Sequence, residues 1–272
     1  SQDNPVTNQL KGSLLQGAVF EIENAETGRI VDTITSDSRG IAASNPLPLG
    51  RYFVREIKAP RFYQLNTQKV EVKLKVEGDV VRIEMYNDAA SIKTSIKKTG
   101  NYTVDAGDNM RYDITNVANQ SNVPLDNFFW HDRIPTDAVR VGTITTGTYN
   151  ARVWYKITYK TNKNGYRVLA DLLSTNRYSF KVDSGSLKLA VGEYVTDIRY
   201  EFGTVPAGFK MTEKATVYVY VPPYMANGYN ITNRVDCGGS YQGEWDSSTS
   251  AWVTRIHRAP IYTKPTLPKT GY

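Results

Sequence analysis

Gly50-Arg-Tyr-Phe-Val-Arg-Glu-Ile-Lys-Ala-Pro60 alternates charged and apolar side chains with a period of two, the period of a β-strand and not of a helix. Arg51 and Arg55 share a face with Phe53, while Tyr52, Val54 and Glu56 share the other, so Glu56 points the same way as the apolar pair. Working outward, Gly17-Ala-Val-Phe-Glu-Ile-Glu23 reads as a strand, Glu26-Thr-Gly28 as a turn and Arg29 to Thr35 as a second strand. Ser36-Asp-Ser-Arg-Gly40 turns again before the third strand, and two more are expected over Gln68 to Val76 and Val80 to Tyr86. In the last of these Val81, Ile83, Met85 and Asn87 form one face, with Arg82, Glu84 and Tyr86 opposite. A carboxyl group (Glu56) and a carboxamide (Asn87) aimed at one small core are costly unless they satisfy each other or do chemistry. Short strands separated by turn signals at this spacing predict a small β-sandwich.

The full chain of 272 residues is long enough for one or two domains with real cores. Its 22% charged and 40% hydrophobic residues are a globular balance, and 19 Tyr with many Val, Ile and Thr tilt it toward strands. The chain reads as all-β. Net charge is +6, but Lys and Arg are scattered among acidic residues, as on solvated strand faces, which argues against a nucleic-acid partner. The single cysteine, Cys237, excludes an internal disulfide; it precedes Gly238-Gly239 with no His nearby and reads as structural. His131 and His257 lack partners at metal-ligand spacing, so surface or packing roles are expected, with no metal and no cofactor.

After a short link at Asp88-Ala-Ala-Ser91, a larger unit is expected to run to about His257. Ile96 and Lys98 share a face; so do Phe128, Trp130 and Asp132, and so do Ile231, Asn233 and Val235. Lysine, aspartate and asparagine thereby converge on an aromatic core. Lys97 is the rival amine, but it alternates with Lys93 and Ser95 onto the solvent side, so Lys98 is preferred. Tyr166 to Leu173 is read as one short helix. Ala259 to Tyr272, with Pro260, Pro265 and Pro268, is read as an extended, semi-rigid tether.

Three sets of residues carry family resemblances. Leu15-Gln-Gly-Ala-Val-Phe-Glu-Ile22, the Ser38-Arg-Gly40 turn, Gly50 to Pro60 and Met85-Tyr-Asn87 together resemble the CnaB (SpaA-like) domain of pilins and adhesins. Lys98-Thr-Gly-Asn-Tyr-Thr-Val-Asp-Ala-Gly-Asp-Asn-Met-Arg-Tyr-Asp-Ile114, Phe128-Phe-Trp-His-Asp-Arg-Ile-Pro135 and Ile231-Thr-Asn-Arg-Val-Asp236 resemble the CnaA-like isopeptide-forming domains of fimbrial proteins. Leu267-Pro268-Lys269-Thr270-Gly271 resembles the LPXTG sorting signal of Gram-positive surface proteins, with Lys269 at its variable position. The apolar span and basic tail that follow that signal in its family are missing, and the chain reads as a trimmed ectodomain. Together the resemblances imply two tandem immunoglobulin-like β-sandwich domains, residues 1–88 and 89–258, and a sorting tether over 259–272.

The fimbrial resemblance implies an isopeptide crosslink between Lys98 and Asn233, promoted by Asp132. Burial favours the neutral, nucleophilic amine, and a protonated Asp132 in apolar surroundings can polarise the Asn233 carbonyl. In the CnaB resemblance Glu56 would be the promoting carboxylate and Asn87 the acceptor, but Ser1 stands where that family has its lysine. Lys11 could substitute only from an unusual register, so the first domain is expected to be unbonded. The function so implied is non-enzymatic: a sortase-anchored cell-wall protein of a Gram-positive bacterium, a minor or basal pilin subunit acting as a stalk. Sortase and peptidoglycan or other pilin subunits are the implied partners. The Tyr-Pro-Lys context of shaft pilins is absent, Tyr262-Thr-Lys264 being a poor imitation. The alternative is a stand-alone adhesin binding a host matrix protein or glycan, with Tyr224, Tyr229, Tyr241 and Trp245 as a contact patch.

Overall fold

The computed structural model describes residues 3–258. Ser1 and all five residues of the expected sorting signal, Leu267, Pro268, Lys269, Thr270 and Gly271, lie outside the described residues. Within that range the protein is all-β, with eighteen strands and no helix. The first four strands, β1 (Val19–Asn24), β2 (Ile30–Thr35), β3 (Gly50–Lys58) and β4 (Lys69–Leu74), form an antiparallel sheet in the order β2-β1-β3-β4. Tyr52, Val54 and Glu56 of β3 are buried, whereas Arg51 and Arg55 are exposed. Arg55 pairs across the sheet with Glu21 at 2.7 Å. Ile22, Tyr52 and Val54 are the core, covered by Phe20, Leu74, Ile83 and Met85 among others.

The strand expected over Val80 to Tyr86 differs from expectation. Ile83 and Met85 do face the core, but the segment joins no ladder among the described residues. Alternation specifies which side chains turn inward; a strand also needs a neighbouring backbone edge to bond with, and this segment bonds to none. Its end is tied down instead by Asn66 Nδ2 donating to the Tyr86 carbonyl at 2.8 Å and by Gln64 N donating to that of Asp88 at 2.8 Å.

The remaining strands belong to residues 94–257. They are β5 (Thr94–Gly100), β6 (Thr103–Asp105), β7 (Asn109–Asn119), β8 (Leu125–Arg133), β9 (Arg140–Thr145), β10 (Thr148–Tyr149) and β11 (Tyr155–Thr161). There follow β12 (Arg167–Leu173), β13 (Ser179–Lys181), β14 (Val195–Val205), β15 (Met211–Glu213), β16 (Ala215–Tyr220), β17 (Asn230–Tyr241) and β18 (Glu244–His257). A seven-stranded sheet, β12-β11-β14-β8-β17-β18-β6, accompanies a five-stranded one, β13-β9-β16-β7-β5, and β10 pairs with β15. One aromatic core includes Trp130, Tyr112, Tyr155, Tyr200, Phe128 and Phe209. Trp130 and Tyr200 stack with ring centroids 3.7 Å apart, an arrangement worth about 0.5–1.5 kcal/mol beyond its area.

Residues 166–173, expected to be helical, are largely strand β12, paired with β11. Leucine and alanine favour a helix only weakly, and the pairing with β11 overrides that preference. Strand β5 sits at the edge of its sheet. It ladders with β7 on one side, while side chains of β18 bind its other: Ser250 Oγ accepts from Lys98 N at 3.0 Å and Asp246 Oδ2 accepts from Thr94 N at 2.6 Å. These side chains join the corner between the two large sheets.

The β17–β18 hairpin turns in two residues, Gln242 (φ 50) and Gly243 (φ 93), between paired Tyr241 and Glu244, as a type I′ turn requires. This tip reaches the first unit. Gln242 Oε1 accepts from Phe62 N at 2.8 Å and the Tyr241 hydroxyl donates to the Tyr63 carbonyl at 3.1 Å. Asn122 Nδ2 donates to the Ala89 carbonyl at 3.0 Å beside the link.

Gly100 ends β5 where a Cβ would lie 2.9 Å from Tyr112 Cδ1 and 3.0 Å from the Arg111 carbonyl oxygen. Gly100→Ala should therefore destabilise the protein by about 1–3 kcal/mol through overpacking, read as a lower denaturant midpoint. An unchanged midpoint would mean that the Tyr112 ring yields freely.

Candidate functional site

Lys98 lies on β5, Asp132 on β8 and Asn233 on β17, so the cluster spans both large sheets. The alternation of β5 buries Lys98 and exposes Lys97. Lys98 Nζ donates to both Asp132 oxygens at 2.8 Å, and neither side chain has any solvent-exposed surface. Burial pulls the Lys98 amine below its ordinary pKa, against the opposing charge and hydrogen bonds of Asp132. Its ammonium also lies 4.8 Å from the centre of the Tyr112 ring.

In the β8–β17 register Val235 faces Asp132. Asn233, two residues along β17, lies on the same side as a diagonal neighbour of Asp132, roughly 7–8 Å away in such pairs and less between Cβ atoms. Asn233 is fully buried, and neither its Oδ1 nor its Nδ2 has a partner among the described residues. An unpaired buried amide typically costs about 1–3 kcal/mol per group. The structure thus sets a desolvated amine, a carboxyl group bound to it and an amide free of other bonds into one apolar interior. Tyr112 and Tyr200 are part of that interior, and the buried Tyr200 hydroxyl likewise has no partner among the described residues.

The first unit holds a different arrangement. Glu56 and Asn87 are both buried, and Asn87 Nδ2 donates to Oε1 at 3.0 Å and Oε2 at 2.7 Å of Glu56. Asn66 N donates to Glu56 Oε2 at 2.6 Å and Asn87 Nδ2 also reaches the Gln64 carbonyl at 2.9 Å. Burial raises the Glu56 pKa, opposed by the hydrogen bonds from Asn66 and Asn87. Lys11 is exposed; its backbone N donates to Asp3. The carboxylate here takes up the amide that, in the second unit, is left unpaired.

Other candidates separate clearly. Cys237 is buried, its Sγ donates to the Ser95 carbonyl at 3.2 Å, and burial pushes its thiol up to about 12, so it stays a thiol. Tyr224 and Trp245 are exposed, whereas the Tyr241 hydroxyl is spent on the first unit and that of Tyr229 on Asp137. His131 is the residue that sequence reasoning underrated. It is on the outward side of β8 yet nearly buried, with Nε2 2.9 Å from Asp197 and Nδ1 3.6 Å from Asp236. The Tyr166 hydroxyl is 3.2 Å from Nε2, and Arg133 pairs with Asp236 at 2.6 Å. The signal was absent because Asp197 and Asp236 come from strands far away in the chain.

Burial disfavours the charged imidazole, but bonding to Asp197 and Asp236 outweighs it and holds the His131 pKa above the ordinary value. A raised folded pKa gives a stabilisation fully present below the unfolded value of about 6.5 and lost as pH rises through the folded value. His131→Gln should therefore lower the melting temperature more at pH 6 than at pH 9. An NMR titration placing the His131 pKa below that of an unfolded histidine would overturn the assignment.

Residues 7–89 match the family described as SpaA: Prealbumin-like fold domain. A curated relative, the trypsin-resistant surface T6 protein of Streptococcus pyogenes serotype M6, is 34% identical over 58 residues, 21% of this chain. That alignment spans only 11% of the relative's own length. Among solved structures, BcpA, the major pilin subunit of Bacillus cereus, aligns over 90% of this chain and 66% of its own, at 17% identity and a TM-score of 0.30. The T6 backbone pilin of serotype M6 Streptococcus pyogenes aligns over 90% of this chain and 62% of its own, at 12% identity and a TM-score of 0.23. Superpositions this loose do not extend to function. What the chain shares with known proteins is, in its first unit, similarity to the SpaA prealbumin-like domain.

Proposed function

We propose that this chain is a structural subunit of a Gram-positive surface fibre, a minor or basal pilin, stiffened by an isopeptide bond between Lys98 and Asn233. In this reading residues 1–88 and 89–258 are its two domains and residues 259–272 its tether. The observation that carries the proposal is the buried Lys98–Asp132 pair in one interior with an asparagine whose side chain has no hydrogen-bond partner among the described residues. Proton transfer along either 2.8 Å hydrogen bond converts ammonium and carboxylate into amine and carboxylic acid. The amine nitrogen attacks Asn233 Cγ, and Asp132 donates a hydrogen bond to the carbonyl oxygen as it becomes anionic. Asp132 then carries a proton from the attacking nitrogen to Nδ2, the Cγ–Nδ2 bond breaks and ammonia leaves. Folding itself holds the groups together, so no cofactor is required.

Intact-protein mass spectrometry should find the chain lighter than its sequence by one ammonia, with the full mass restored in Asp132→Ala. Peptide mapping should recover Lys98 joined to Asn233 and Asn87 unmodified. The crosslink closes a loop of well over a hundred residues, worth about 3–5 kcal/mol by the loop-closure reckoning used for disulfides. A wild-type mass equal to that of the sequence sinks the proposal.

The cell-wall location rests on Leu267-Pro268-Lys269-Thr270-Gly271. A sortase supplied with a glycine acceptor should cut between Thr270 and Gly271 and leave Thr270 in amide linkage, and Pro268→Ala should abolish the reaction. Lys269→Ala, at the variable position of the signal, should leave it intact. A wild-type chain inert to every sortase of its source organism removes the anchoring part of the reading and leaves the crosslink standing.

A further inference from the structure

We infer that the outer face of the seven-stranded sheet carries a binding site for a neutral saccharide, centred on Trp154. A cavity of about 380 Å³ opens there over β11 and β14, within the range of small-ligand sites. Trp154, 66% exposed, lines it, and so does Leu172, 75% exposed. The indole makes no hydrogen bond among the described residues.

The backbone around this cavity is unusual. Asn127 (φ 53), Leu172 (φ 51) and Gly203 (φ 66), all lining it, are left-handed. For leucine that conformation is costly, since it has neither the freedom of glycine nor the short polar side chain of asparagine. Each residue coincides with a bulge. Between β11 and β12, Tyr155 faces Leu173 but Ile157 faces Ala170, so β12 carries an extra residue there. Between β14 and β8, Glu201 faces Phe129, Gly203 faces Phe128 and Val205 faces Leu125, a slip on each strand in turn. Bulges and left-handed non-glycine residues concentrate where a protein re-aims side chains for a ligand. Here they turn a leucine outward beside an exposed tryptophan.

The polar lining specifies the ligand. Lys156 and Arg199 are balanced by Asp171 and Glu201, so the cavity carries no net charge to draw an anion. Glu201 is oriented by Thr158, whose hydroxyl donates to Oε1 at 2.9 Å, and by Lys156, 3.4 Å from Oε2. Arg199 lies 4.2 Å from the centre of the Phe129 ring, and its buried Nε has no partner among the described residues. Donors and acceptors of balanced charge beside an apolar platform suit a molecule with an apolar C–H face and a rim of hydroxyls, which is a sugar ring. An extended peptide fits less well. Both β11 and β14 are laddered on two sides, and β12, whose Asp171 and Leu172 also line the cavity, is an edge among the described residues only on its side away from β11.

The site is independent of the crosslink, and its test uses the full chain. Saturation-transfer NMR and calorimetry should detect binding of at least one of the methyl glycosides of glucose, galactose, mannose and N-acetylglucosamine, or of lactose, with sialyllactose as the charged comparator. Trp154→Ala should weaken that binding at least about tenfold, a loss near 1.4 kcal/mol, at an unchanged melting temperature because the side chain is exposed. Leu172→Gly should weaken it too while leaving the protein as stable or more so, since glycine adopts the left-handed conformation freely. The inference is overturned if no neutral sugar binds, if sialyllactose is preferred, if only an extended peptide binds, or if Trp154→Ala binds as the wild type does.

Discussion

Two opposite charges, Lys98 and Asp132, sit 2.8 Å apart with no solvent on either, and the larger sandwich is organised around that contact. It joins β5 of one sheet to β8 of the other. Taking an ammonium and a carboxylate out of water costs several kcal/mol each, and their attraction seldom returns more than that, so a buried pair is a poor stabilising device by itself. Removing one partner is costly because it strands the other charge. The pair can leave this situation chemically, by sharing out the proton, and the neutral amine so formed lies in an interior with an asparagine whose side chain has no partner among the described residues. The chemistry proposed for it would replace two buried charges by one neutral amide.

The two buried asparagines show what the lysine changes. Asn87 donates to both oxygens of Glu56 and to the Gln64 carbonyl, so its amide nitrogen is engaged. In the second unit the Lys98 ammonium occupies both oxygens of Asp132, and neither the donor nor the acceptor of Asn233 is satisfied among the described residues. A carboxylate and an amide thus satisfy each other in one unit and are kept apart in the other. An amine is the difference.

The surroundings hold this geometry in place. The open side of β5 is bound by Ser250 and Asp246 of β18, which protects an edge that could otherwise pair with another chain. The β17 strand that carries Asn233 ends in the hairpin whose Gln242 accepts from Phe62 of the first unit. Outside, His131 draws β14 and β17 together through Asp197 and Asp236. The strand presenting Asp132 inward therefore presents a second ionic cluster outward.

Period-two alternation by itself determined the inward sense of Glu56, Lys98, Asp132 and Asn233, because in a strand the face of each side chain is a local property, and Asn87 is buried on the same period at the end of a segment that forms no strand among the described residues. It did not decide whether a segment finds a neighbour. Val80 to Tyr86 alternates yet joins no ladder among the described residues, while residues 167–173, composed like a helix, are recruited by β11. Nor could it show that Asn233 lacks partners among the described residues, that His131 is clasped by two aspartates, or that bulges gather Leu172, Asn127 and Trp154 around one cavity. Those facts depend on the register between strands remote in sequence. Register is set by the packing of the whole core and leaves no mark on the residues it brings together.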